Sequence, residues 1–193
     1  FNGRHSTEGI SISLSKMKEI HCCDFDSVYV SSGVSYRELI QELKQHGKAV
    51  EGVPRDIDAN VVEAVINGQH SARYKGGLLA DEVTEISLLM SNGVKKHYSI
   101  RDPEFKSIVL NYGYGGVTLG VFIKVVPEFE VLKCIYENIL HYDFTRRFHA
   151  MFEGREYSWF FLDLGKMKWT VHQVYASNPE VPRKGTLCRV GVD

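Results

Sequence analysis

Residues 117–126, Val-Thr-Leu-Gly-Val-Phe-Ile-Lys-Val-Val, constrain the fold more than any other stretch. A run this rich in β-branched and aromatic residues, with no polar alternation, is a strand covered on both faces. Such a strand needs neighbours on either side, so the chain must supply a sheet and something to cover it. Pro127 cannot donate to a ladder and stops the run.

The neighbours are found by period. Residues 10–14, Ile-Ser-Ile-Ser-Leu, alternate as a half-buried strand does, and 28–30 form a second short strand closed by Ser31-Ser32-Gly33. Residues 83–90 make another strand, with Ile86, Leu88 and Met90 on one face. Asn92-Gly93 is a hairpin turn, and Val94, Tyr98 and Ile100 continue on the return. Helical spacing takes over at Tyr36, Leu39, Ile40 and Leu43, with a capping box from Ser35 and Glu38 in front and Gly47 as the C-terminal cap. Asp102-Pro103 predicts a helix with Asp as N-cap, its apolar side made by Phe105, Ile108 and Val109. Residues 129–140 predict a further helix through Leu132, Ile135, Tyr136 and Ile139. Residues 157–162 and 169–175 read as strands joined around Gly165. Between Gly52 and Gly77 the chain reads mostly as loop around a short apolar run, 61–66, and a loop that long is usually functional. Strands and helices mixed without strict alternation give an α+β class, with a boundary near Pro127.

The net charge of −1 gives no sign of a surface held to nucleic acid by phosphate attraction. No segment approaches the roughly 20 apolar residues of a membrane span. Cys22 and Cys23 are adjacent and Cys134 and Cys188 isolated, without the C-x-x-C spacing of zinc sites, as for the reduced thiols of a cytosolic-type protein. Nicotinamide, nucleophile-elbow and P-loop signatures are missing too.

Three features remain that could carry chemistry. Gly3-Arg4-His5-Ser6 precedes a strand; its glycine lets backbone approach a ligand, and a histidine there could act as a nucleophile toward an electrophilic cofactor. Asn67-Gly68-Gln69-His70-Ser71-Ala72-Arg73 is polar and sits in the long loop. Gly115-Gly116-x-x-Leu119-Gly120-Val121 enters the buried strand. Taken singly, these equally suit a surface histidine, a solvated turn and a plain strand start.

Together, in this order, they resemble the FAD-binding (PCMH-type) domain of the vanillyl-alcohol oxidase family, in particular that of alditol oxidases and aldonolactone oxidases. Gly3-Arg4-His5-Ser6 is similar to the R-H-S loop of the family. Val30-Ser31-Ser32-Gly33-Val34-Ser35-Tyr36-x-x-Leu39 is similar to its "aG-v-x-y-x-x-L" signature. Ile57-Asp58-Ala59 through Gly68-Gln69-His70 resembles "dId-x-q…G-t-H-G". Gly77-Leu78-Leu79-Ala80-Asp81-Glu82-Val83 with Met90-Ser91-Asn92-Gly93 resembles "G-l-l-a-d-x-V…dG". Residues 114–127 resemble the family's closing strand. Where the pattern reads "G-t-H-G-s-G", this chain has Gly68-Gln69-His70-Ser71-Ala72-Arg73, and Ile66 stands at a small position of the preceding run.

The resemblance implies a flavin-binding domain over residues 1–127, its amino-terminal part lying before Phe1, and the start of an α+β substrate (cap) domain over 128–193. It implies FAD as cofactor, bonded through His5, and held around Gly3, Arg4, His5, Ser6, Asp58, Gly68, Gln69, His70, Ser71, Gly120 and Val121. The implied reaction moves a hydride from a hydroxyl-bearing carbon of a polyol or sugar lactone to flavin N5, and electrons to oxygen, giving hydrogen peroxide. The base that takes the hydroxyl proton is expected outside this chain. A dehydrogenase with another acceptor, and a flavin fold that has lost catalysis, are the alternatives.

Overall fold

A computed structural model describes residues 12–24, 26–71, 73, 76–152 and 157–176. Its first sheet has five strands in the order β1-β2-β6-β4-β5, where β1 is Ile20–Asp24, β2 Ser27–Ser31, β4 Val83–Leu89, β5 Lys95–Ser99 and β6 Val117–Lys124. All neighbours are antiparallel. β6 is the middle strand, as its apolar run requires. Val30, Val121 and Ile86 lie in register across β2, β6 and β4, and all three are fully buried. That row is the centre of the core.

Helix α1 (Tyr36–Gln45) covers one face of this sheet with Tyr36, Leu39 and Leu43. Its start is fixed by the expected capping box. The Ser35 amide donates to Glu38 Oε2 at 2.8 Å, and the Glu38 amide donates to Ser35 Oγ at 3.3 Å. Lys18 adds an ion pair to the same carboxylate at 2.7 Å. The Lys18 hydrogen bond first, and the Ser35 amide second, hold the Glu38 carboxyl down at about 2. A depressed carboxyl pKa stabilises the fold above its ordinary value of 4.5, and that help is lost as pH falls from there toward 2. The end of α1 is set by Gly47 at φ +62°, which glycine adopts without steric cost. Ser35→Ala should lower stability by about 1 kcal/mol, read as a shift in the urea midpoint.

Helix α2 (Val61–Ile66) lies where the sequence suggested only an apolar run in a loop. Asn60 caps it, accepting from the Glu63 amide at 2.9 Å, and Val61, Val62, Ala64 and Val65 are buried. The two-residue strands β3 (Lys48–Ala49) and β7 (Val126–Pro127) pair with each other.

After β7 the chain builds a second, three-stranded antiparallel sheet, β8-β10-β9, from β8 (Val131–Leu140), β9 (Tyr157–Asp163) and β10 (Lys168–Ala176). Helix α4 (His141–Phe152) packs on it through Phe144, whose ring stacks on Trp169 at 4.1 Å.

Several expectations fail here for identifiable reasons. Residues 129–140 are strand, not helix. Tyr136 pairs with Val171 and Ile139 with Trp169, so β8 has one more residue than β10 between those pairs. The bulge contains Asn138 at φ +59°, and it brings two residues three apart onto one face, imitating helical spacing. The expected strand at 10–14 is irregular over 12–14, its first two residues lying outside the described ones, and Ile12 is exposed. The carbonyls of Leu14, Ser15 and Met17 instead turn around Gly33, where a Cβ would sit 2.5–2.9 Å from them. Asp102 is not a helix cap. Its carboxylate accepts from the Ser99 amide at 2.6 Å, so helix α3 (Phe105–Val109) begins later, at Phe105, after Glu104. Val94 and Ile100 flank β5 and do not belong to it.

Candidate functional site

The loops that the sequence marks for cofactor binding lie at the carboxyl end of α2 and along β6. Gly3, Arg4, His5 and Ser6 lie outside the described residues.

Gly68 follows α2 at φ +63°, and among the described residues the space its missing Cβ leaves is bordered by the Leu110 and Tyr112 side chains at 3.6 and 3.7 Å. The turn is closed by its own hydrogen bonds. The amides of Gly68, Gln69 and Ser71 donate to the carbonyls of Val65, Ala64 and Gly77 at 3.0, 3.0 and 3.2 Å. His70 bridges Leu78, and the Leu79 amide donates to Gln69 O at 2.9 Å. These backbone donors are therefore not turned outward as an anion-binding nest. What the turn presents to solvent is the side chains of Gln69 and His70. An amide and an imidazole beside an open left-handed glycine can hydrogen-bond a flavin ring edge or a phosphate. In that sense the donor set fits a flavin.

Gly120 and Val121 are both buried within the sheet. A Cβ on Gly120 would lie 2.5 Å from Tyr29 Oη and 2.7 Å from Val30 O, so this glycine makes room for the Tyr29 ring. Val121 is fully buried in the core row. Asp58 is exposed and held bidentately by Arg37 at 2.6 and 3.0 Å, which lowers its carboxyl pKa. The pair fastens the 55–58 loop to the first turn of α1, where the Arg37 amide also donates to Ile57 O at 2.8 Å.

Sequence reasoning passed over the residues that tie these loops together. Ser32 donates its amide to Leu119 O at 3.0 Å and its hydroxyl to Thr118 O at 2.5 Å, and Asn60 Nδ2 donates to Ser32 O at 2.6 Å. The 31–34 turn, the start of α2 and the start of β6 are thereby one unit. Beside them the Thr118 hydroxyl is buried without a hydrogen-bond partner among the described residues, a costly state that a polar ligand would relieve. Ser32 and Asn60 lay inside the quoted segments but were not singled out, because polar loop residues carry no periodic signal.

Glu82, also passed over, is mostly buried between the 51–52 segment and Tyr36. Burial raises its carboxyl pKa, while the Gly52 amide and nearby Arg73 pull it down. Arg73 pairs with Glu51 at 2.9 Å and bridges Tyr157, and Tyr157 Oη donates to Glu51 O. This cluster joins the loop after α2 to the second sheet. Among the described residues there is no cluster of metal-ligating side chains, and no helix is long and apolar enough to cross a membrane.

No family model matches the chain. Among curated proteins, L-gulonolactone oxidase from Mus musculus is 27% identical over 138 residues, covering 69% of this chain and 31% of that protein. D-arabinono-1,4-lactone oxidase from Saccharomyces cerevisiae is 23% identical over 141 residues, 72% of this chain and 26% of that protein. The chain thus spans about a third or less of the length of these relatives. Among solved structures, cholesterol oxidase from Brevibacterium sterolicum superposes with a TM-score of 0.73 at 17% identity, over 86% of this chain and 35% of that one. By sequence the chain is similar to aldonolactone oxidases, and its fold resembles the FAD-binding domain of cholesterol oxidase.

Proposed function

We propose that the chain is the flavin-binding part of an FAD-dependent oxidase acting on a hydroxyl group of an aldonolactone or a sugar alcohol. The observation that carries this reading is the similarity to L-gulonolactone oxidase, 27% identical over 138 residues, together with a fold that superposes on cholesterol oxidase. Bound FAD would supply the acceptor for the hydride leaving the carbinol carbon, with oxygen as the final acceptor and hydrogen peroxide as product. In this reading Gln69 and His70 hydrogen-bond the cofactor from the turn after α2. The 31–34 turn and β6, locked together through Ser32, give that turn a rigid base. His5 carries the covalent bond to the flavin.

One set of observations favours a second reading, a flavin fold that no longer binds its cofactor. The turn amides are satisfied internally and Tyr29 fills the space beside Gly120.

Oxygen uptake and peroxide formation by the natural polypeptide, with L-gulono-1,4-lactone, D-arabinono-1,4-lactone and a sugar alcohol as substrates, test the proposal. One of these should give peroxide equal to the oxygen consumed. Turnover only with an artificial electron acceptor would make the protein a dehydrogenase. In a His5→Ala variant, acid precipitation should release flavin into the supernatant, whereas in the parent it stays with the pellet. Equal release from both would remove the covalent bond from the account.

A further inference from the structure

A cavity of about 630 Å³ opens between the first unit and the second sheet, within the size range of small-molecule sites. It contains none of the proposed flavin-contacting residues. Ile40, Val50 and Val53 make its floor, and Val131, Trp159 and Val174 its roof. The walls are largely apolar, and most of its charged residues are basic. Lys44, Lys48 and Arg55 line it against a single carboxylate, Glu128. The whole chain has 23 basic and 24 acidic side chains, so this excess is local. Lys44 sits in the last turn of α1 and Lys48 on β3. Arg55 lies 4.4 Å over the Phe161 ring, and neither it nor Lys44 is ion-paired among the described residues.

We propose that this cavity binds a free amphipathic carboxylate of the fatty-acid type. The alkyl chain lies between the valines of the floor and Trp159, where removal of apolar surface from water drives binding. The carboxylate stays at the mouth among Lys44, Lys48 and Arg55. A guanidinium already held over an aromatic ring offers its donors in a fixed plane, which suits a carboxylate. A neutral molecule of the same length would gain only the apolar part. The proposal does not depend on the flavin reading, because the two sites share no residue.

Isothermal titration calorimetry of the purified natural polypeptide with laurate, kept below its micelle concentration, tests this. Saturable one-site binding is expected, with dodecanol at least 10-fold weaker. A Lys44→Gln/Arg55→Gln double variant should weaken laurate by 10-fold or more and leave dodecanol unchanged. Val53→Trp, which fills the floor, should abolish both, with its circular dichroism melt checking the fold. FAD in excess should not displace laurate. Absence of saturable binding, equal affinity for laurate and dodecanol, an unchanged affinity in the double variant, or displacement by FAD would each overturn the proposal.

Discussion

Gly120→Val should destabilise the chain at the upper end of the about 1–3 kcal/mol that overpacking a core costs. The new Cβ would meet Tyr29 Oη at 2.5 Å, Tyr29 Cζ at 2.6 Å and Val30 O at 2.7 Å. Two of these contacts are with a ring that has little room to move, since Tyr29 lies 5.1 Å from Phe122 and 6.1 Å from His21. The third is with the backbone of the neighbouring strand, where Ser31 pairs with Gly120 and Val30 with Val121. Relieving it would mean parting β2 from β6 in the middle of the sheet. A domain stable by about 5–15 kcal/mol would lose a large fraction of its margin. Adding Tyr29→Ala removes two contacts and leaves the backbone one, so it should restore part of the urea midpoint. A Gly120→Val variant as stable as the parent would show that Tyr29 does not occupy this space.

Leu39→Ala should cost about 3 kcal/mol, within the 2–5 kcal/mol seen when a buried leucine is cut back. Leu39 is fully buried and is part of the α1 face that seals the first sheet. The cavity it leaves would be bounded by two elements that cannot both close on it. α1 is pinned at its start by the Ser35–Glu38 box, and the sheet is pinned by its ladder. Ile100, 59% exposed, is the matched control, and Ile100→Ala should stay within about 0.5 kcal/mol of the parent. Thermal and urea unfolding of both variants would settle the contrast.

These two positions were legible to different degrees. The apolar stripe of α1 and its capping box are local signals, and a local signal survives in the sequence whatever surrounds it. The same holds for β6, whose composition demanded the middle of a sheet, and for Gly47 and Gly93, where positive φ requires a small residue. Gly120 was marked for a ligand because its neighbours resemble a flavin motif, yet its packing role depends on Tyr29, ninety-one positions away in sequence and adjacent only across the ladder. The β8 error has a related origin. Leu132, Ile135, Tyr136 and Ile139 satisfy a helical period, and only pairing with β10 reveals the bulge at Asn138 that produces the same spacing in a strand. β1, Ile-His-Cys-Cys-Asp, has no alternation to find and exists because β2 offers it an edge. Of the site, the sequence located the turn at Gly68–Ser71 but not the direction of its amides, which is decided by partners at Ala64, Val65 and Gly77.

The most direct test of the account is the visible absorbance spectrum of the natural polypeptide, purified without added cofactor and then again after incubation with excess FAD and removal of the unbound part. The flavin reading expects isoalloxazine bands in the first spectrum, at close to one flavin per chain. A protein with no flavin in either spectrum would contradict it, and the closed amides of the Gly68–Ser71 turn would then mark a fold that has given up its cofactor.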